Sequence, residues 1–221
     1  IAQCLVGSEM CIRDSSSTNP LITTNNDYYF SATYSETRQG DALADFAYTS
    51  QKKIVAAAIK TEDDDTATAT IKRFTNRFKK LSGQSNSVAG TFTVPKDSTD
   101  YSKTIDDIKA SGADTVFVTL SAENSIEFMK QAMDKKLMNV LFLGTRSWND
   151  DKLIKYLEEN ERIQAAFPTE QSQNAETEVS NEFIQAFKAK YAESEEPSAR
   201  TAVAFDAYCL AIDAISRAYD A

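Results

Sequence analysis

Residues Tyr101–Trp148, YSKTIDDIKASGADTVFVTLSAENSIEFMKQAMDKKLMNVLFLGTRSW, decide the fold class. Tyr101, Ile105 and Ile108 recur at helical spacing and stop at Gly112, a residue suited to a helix C-terminus. Thr115 to Leu120 is a short β-branched run and reads as a buried strand. Ile126, Met129 and Met133 mark a second amphipathic helix, and Val140 to Leu143 a second strand. Two parallel strands joined by a helix make a right-handed βαβ unit. Open α/β sheets bind ligands outside the carboxyl ends of their strands. Those ends are Ser121-Ala122-Glu123 and Thr145-Arg146-Ser147, so a small ligand is expected there.

The same rhythm extends outward. Tyr28 to Tyr34 is strand-like, and Ser35 then caps a helix with an apolar stripe of Ala42, Leu43, Phe46 and Ala47. Ile54 to Ile59 reads as a strand buried on both faces, as parallel sheets require. Its carboxyl end opens into Lys60 to Asp65, where Glu62, Asp63, Asp64 and Asp65 admit a divalent-metal reading. The run lacks the alternating spacing and glycine of a calcium loop, which favours a solvated acidic loop. A helix with Ile71, Phe74, Phe78 and Leu81 on one face ends at Gly83, and Val88 to Val94 is a strand closed by Pro95. Beyond the central stretch come a short helix over Asp150 to Asn160 and a last strand at Ile163 to Phe167. The polar run Thr169 to Thr177 reads as a crossing or linker. Two amphipathic helices end the chain, and their stripes of Val179, Phe183, Phe187 and Tyr191, and of Phe205, Tyr208, Ile212 and Ile215, are expected in the core together with Cys209.

Composition narrows the functions. No apolar run reaches membrane-spanning length. A net charge of −9 disfavours nucleic acid and anionic membranes as partners. The chain has no His, which removes His-based acid–base catalysis and His-ligated metals. It also has no glycine-rich phosphate loop, no G-x-S-x-G elbow and no nucleotide fingerprint, so no catalytic set and no cofactor is nominated.

Residues 1 to 15 stand apart. The run Cys4 to Ser15, CLVGSEMCIRDS, resembles the translation of a transposase-type sequencing adapter and is set aside from fold reasoning. The alternative is a native strand entering the domain. The following Ser16-Ser17-Thr18-Asn19-Pro20 is either a plain turn or a capped helix start whose free N–H groups attract a carboxylate or phosphate.

The ordered segments STNP, YYFSATYSETRQGDALADFAY, KKIVAAAI, DSTDYSKTIDDIKASGADTVFV and FLGTRSW resemble the substrate-binding proteins of branched-chain amino-acid ABC transporters. The resemblance implies the type I periplasmic binding fold, an α/β architecture of two lobes, each with a mostly parallel sheet flanked by helices, closing on a ligand by a hinge. Residues 16 to 50 and 171 to 221 would form an incomplete first lobe, and residues 51 to 170 the second. The expected function is that of an extracytoplasmic, non-catalytic, monomeric binding component that delivers an amino acid or related small carboxylate to a permease. A ligand-sensing receptor domain of the same fold is the alternative. A flavodoxin-like enzyme with an aspartyl phosphoryl site near Asp63 to Asp65 is a third reading, disfavoured by the missing His and phosphate-loop glycines.

The resemblance also nominates site residues. Ser16 and Thr18 match the segment that holds a ligand carboxylate. Arg146 stands where many members place an acid for the ligand's ammonium, and the family's aromatics are missing at Asp65 and near Ala122, beside Ser121. An unpaired buried ammonium costs roughly 3–5 kcal/mol, so Arg146 in the cleft would select a second carboxylate or a phosphate. Otherwise Arg146 turns outward or pairs with Glu123 or Asp150, and Asp65 or Glu36 meets the ammonium.

Overall fold

The structure is a computed structural model that describes residues 12–14, 29–31, 36–169, 177–191 and 196–219. In chain order its elements are β1 (Ile12–Asp14), β2 (Tyr29–Ser31), α1 (Glu36–Asp45), β3 (Ala56–Thr61), α2 (Asp65–Ser82), β4 (Val88–Val94), α3 (Ser102–Ala110), β5 (Thr115–Val118), α4 (Ala122–Asp134), β6 (Leu141–Gly144), α5 (Asp151–Glu159), β7 (Gln164–Ala166), α6 (Glu178–Lys190) and α7 (Ala199–Tyr219). The chain divides into two units, one of Ile1–Ser35 with Thr169–Ala221 and one of Glu36–Pro168.

The second unit is a five-stranded parallel sheet in the order β4-β3-β5-β6-β7. Every residue of β5 and β6 is buried, as are Ala56 to Ile59 of β3, which is why these strands read as continuous apolar runs. Alternate side chains serve opposite layers. Ala57 and Ile59 join Ile105, Ile108, Phe128, Met129 and Trp148, whereas Ala56 and Ala58 join Leu43, Phe74, Phe78 and Phe117. Thus α1 and α2 cover one face and α3, α4 and α5 the other. The edge strand β4 alternates instead, half-buried and exposed. Gly83 (φ 66°) and Gly112 (φ 71°) close α2 and the α3 turn in the left-handed conformation expected of them.

Three sequence expectations need correction. The strand expected over Ile54 to Ile59 begins two residues later, at Ala56. The Asp114 carboxylate takes the N–H groups of Ile54 (2.9 Å) and Val55 (3.1 Å), a side chain standing in for a strand partner. Ala42 is exposed, while Leu43, Ala44 and Ala47 carry the buried stripe. Residues 36 to 50, assigned above to the first lobe, group with the second unit because α1 lies on α2. A Cβ on Gly40 would sit 2.4 Å from the Thr70 carbonyl oxygen and 2.9 Å from the Phe74 nitrogen, so the two helices cross backbone to backbone. Arg73 pairs with Asp41, and Arg77 with Asp45 at 2.7 Å, across that crossing.

In the first unit β1 pairs in parallel with β2, Ile12 opposite Tyr29 and Asp14 opposite Ser31. A strand thus forms within residues 1 to 15, the stretch set aside above. Phe183 packs on Phe187 and Phe205 with ring centroids 6.3 and 4.7 Å apart. Val179, Tyr191, Phe205, Tyr208 and Ile212 are exposed, as is the free thiol of Cys209, contrary to the core positions expected of them. Helical periodicity marks an apolar face, but only a covering layer buries it, and the described elements do not cover this one.

Candidate functional site

Three loops at the carboxyl ends of parallel strands line one pocket of about 280 Å3 in the second unit. The loop after β3 and the first turns of α2 supply Asp64, Thr66, Ala67 and Thr70. Thr119, Leu120 and Ser121 follow β5, and Thr145 and Ser147 follow β6. The chain leaves β3 for β4 on one side, then crosses to β5 and continues outward to β7 on the other. That reversal makes the gap between β3 and β5 a topological switch point, where an open α/β sheet leaves a crevice. A larger hollow of about 540 Å3, between Met133, Met138 and Glu158 to Ile163, lies at the amino end of β7 and away from these strand ends.

Local chemistry fixes each wall. Asp64 is extended (φ −100°, ψ 94°), and its Oδ1 accepts the Ala67 N–H at 2.7 Å, capping α2. The acidic run therefore has one member engaged at the helix start, while Glu62, Asp63 and Asp65 are exposed. Thr70, 1% exposed, donates its hydroxyl proton to the Thr66 carbonyl at 2.8 Å. Thr119 donates to the Ile59 carbonyl at 3.0 Å. Ser121 caps α4 by accepting the Asn124 N–H at 3.3 Å, and the hydroxyls of Thr145 and Ser147 bond to each other at 2.7 Å.

Buried groups behind the wall hold the loops in register. Trp148 and Ser125 are both 0% exposed. The indole N–H of Trp148 donates to Ser125 Oγ at 3.0 Å, and the Ser125 hydroxyl donates to the Leu120 carbonyl at 3.3 Å. The loop after β6 is thereby tied to the loop after β5. Gly144 lets the indole lie against the strand end, since a Cβ there would meet Trp148 Cδ2 at 1.9 Å. From the other face of the sheet, buried Gln39 accepts the Arg146 backbone N–H at 2.9 Å through Oε1, while its Nε2 has no hydrogen-bond partner among the described residues.

Of the residues nominated from sequence, Ser121 lines the pocket. Asp65 opens α2, Ala122 opens α4, and Arg146 stands half-buried between Thr145 and Ser147; each neighbours a lining residue without lining the pocket itself. Glu123 and Asp150, offered above as partners for Arg146, have other roles. Glu123 meets Lys152 at 3.0 Å, and its hydrogen bond and charge push the lysine's pKa above the ordinary value. Asp150 caps α5 through the N–H groups of Lys152 and Leu153. Glu36 begins α1, and Ser16 and Thr18 lie outside the described residues. Thr66, Thr70 and Thr119 were not nominated, and Asp64 entered only the disfavoured metal and phosphoryl readings. Three consecutive acids do not show which of them will cap the helix that follows, and threonines in a helix's first turns carry no distinctive pattern.

No curated protein matches the chain. Among solved structures, it resembles the leucine-binding protein LivK of Thermotoga maritima with a TM-score of 0.75 at 24% identity, over 93% of this chain and 57% of that one. It resembles the branched-chain amino-acid transporter substrate-binding protein LivJ of Streptococcus pneumoniae, solved with isoleucine, with a TM-score of 0.72 at 20% identity, over 89% and 54%. It also resembles an ABC-transporter solute-binding protein of Rhodopseudomonas palustris, solved with 3,4-dihydroxybenzoic acid, with a TM-score of 0.63 at 17% identity, over 94% and 56%. The chain thus spans a little over half the length of each, and at these identities the likeness establishes the type I periplasmic binding fold. A family profile described as periplasmic binding protein matches residues 8–221, and the chain belongs to that family.

Proposed function

We propose that this chain is part of an extracytoplasmic solute-binding component of an ABC importer, which captures an amino acid or related small carboxylate by hinge closure of two lobes and presents it to a permease. The protein works as a monomer, and its role is binding rather than catalysis. The observation that carries this reading is the hydroxyl-lined pocket at the switch point of the parallel sheet, formed by the ends of β3, β5 and β6. Its walls are pre-set by buried hydrogen bonds before any ligand arrives, which lowers the ordering cost of binding. Lining side chains that hydrogen-bond and a volume of about 280 Å3 match a small polar solute.

Thermal unfolding against a panel of neutral, acidic, basic and aromatic small acids tests the proposal. A true ligand at about 100 times its dissociation constant adds roughly 2.7 kcal/mol. At this chain length that raises Tm by about 5–11 °C. A response to none of the panel counts against solute binding.

A further inference from the structure

Gln39 and Gly40 meet two walls of the pocket from behind. Gly40 lies against the α2 backbone, where a Cβ on it would sit 2.4 Å from the carbonyl oxygen of Thr70, a lining residue. Gln39, 1% exposed, accepts the Arg146 N–H at 2.9 Å, and the residues on either side of Arg146, Thr145 and Ser147, line another wall. Both belong to the first half of α1, whose first residue, Glu36, is also the first of the second unit. The chain enters that unit at Glu36 and leaves it at Pro168, so a hinge between the units works through those two joints. Gln39 Nε2 is buried without a hydrogen-bond partner among the described residues. An apolar residue of the same shape would fill the space without leaving a buried donor unpaired, so packing does not account for a glutamine there. The bond that Oε1 makes to the pocket loop does account for it, and Nε2 leaves the side chain a second bond to gain when that loop shifts.

We infer that Gln39 is a positioning residue that links the pocket to the hinge: a solute that shifts the Thr145–Ser147 loop moves the Arg146 N–H, and Gln39 carries the shift to the start of α1, where the chain enters the second unit. This step rests on the solute-binding reading above.

The test compares the full natural chain with Gln39→Met, which keeps the side chain's length without its polar atoms, and with Gln39→Glu, which keeps an acceptor. Amide exchange is read by NMR first, without any solute. Arg146 should exchange at least about tenfold faster in Gln39→Met, the share of one lost hydrogen bond, and return toward the natural rate in Gln39→Glu. An unchanged Arg146 rate in Gln39→Met would overturn the inference. Each protein is then titrated with L-leucine, L-glutamate, L-arginine and benzoate while amide shifts are followed. A bound solute should move the amides of Thr145–Ser147 and of Glu36–Gly40 together in the natural chain, and those of Thr145–Ser147 alone in Gln39→Met. Movement of the loop without Glu36–Gly40 in the natural chain, or of both segments in Gln39→Met, would overturn the inference and leave solute binding standing. Silence across all four compounds would overturn the solute-binding reading and this inference with it.

Discussion

Replacing Gly144 by alanine probes the link between the loops that carry the pocket. The added Cβ would lie 1.9 Å from Trp148 Cδ2, 2.3 Å from Cγ and 2.4 Å from Cε3. Carbon atoms rest about 3.5–4.0 Å apart, so the indole must retreat by roughly 1.5–2 Å. It is wholly buried, and such a retreat breaks its 3.0 Å hydrogen bond to Ser125. Overpacking costs about 1–3 kcal/mol, and a buried donor left without its acceptor about 1–3 kcal/mol more. A central value of about 4 kcal/mol lowers Tm by roughly 8–16 °C for a chain of this length. Trp148 is the one tryptophan in the sequence, so its emission reports the site directly and should shift to the red. Gly90→Ala is the control, since a Cβ there meets nothing within 4 Å. A Tm drop under about 2 °C with unshifted emission in Gly144→Ala would refute the argument that the indole is wedged against the strand end.

Two further perturbations follow from the same packing. Asp114→Ala removes the acceptor for the Ile54 and Val55 N–H groups and should cost about 1–3 kcal/mol, read by denaturant unfolding; an unchanged midpoint would show that solvent serves those groups equally well. The Tyr101 phenol, held above its ordinary value of 10.0 first by burial and then by Glu127, donates to the Ser98 carbonyl at 2.8 Å. Because the folded protein keeps this proton longer than the unfolded chain, its contribution is complete below pH 10 and declines as pH rises through the folded value. Stability should therefore fall above about pH 10, and less steeply in Tyr101→Phe; equal alkaline slopes would exclude Tyr101 as a source.

The sheet was legible because β3, β5 and β6 are buried on both faces and so spell uninterrupted apolar runs. The strand-end rule then led to Ser121 and to the loop holding Thr145 and Ser147. Side-chain direction within those loops was not legible. In Thr145-Arg146-Ser147 the charged residue drew attention, yet its two hydroxyl neighbours line the pocket. Asp65 was nominated where Asp64 lines the pocket, a difference of one position set by which acid adopts the extended conformation before the helix. Gln39 left no signal, because a buried glutamine that reaches across to Arg146 reads in sequence like any polar helical residue. The stripes on α6 and α7 were visible, but what covers a face is a tertiary fact that periodicity does not hold.

The two units differ in how the chain builds them. Residues Glu36–Pro168 are continuous, whereas the first unit draws on both ends of the sequence. A ribosome that makes the chain from its amino end therefore completes every strand of the five-stranded sheet before Thr169 is added. That sheet can close while synthesis proceeds, since each of its pairings lies within already finished chain.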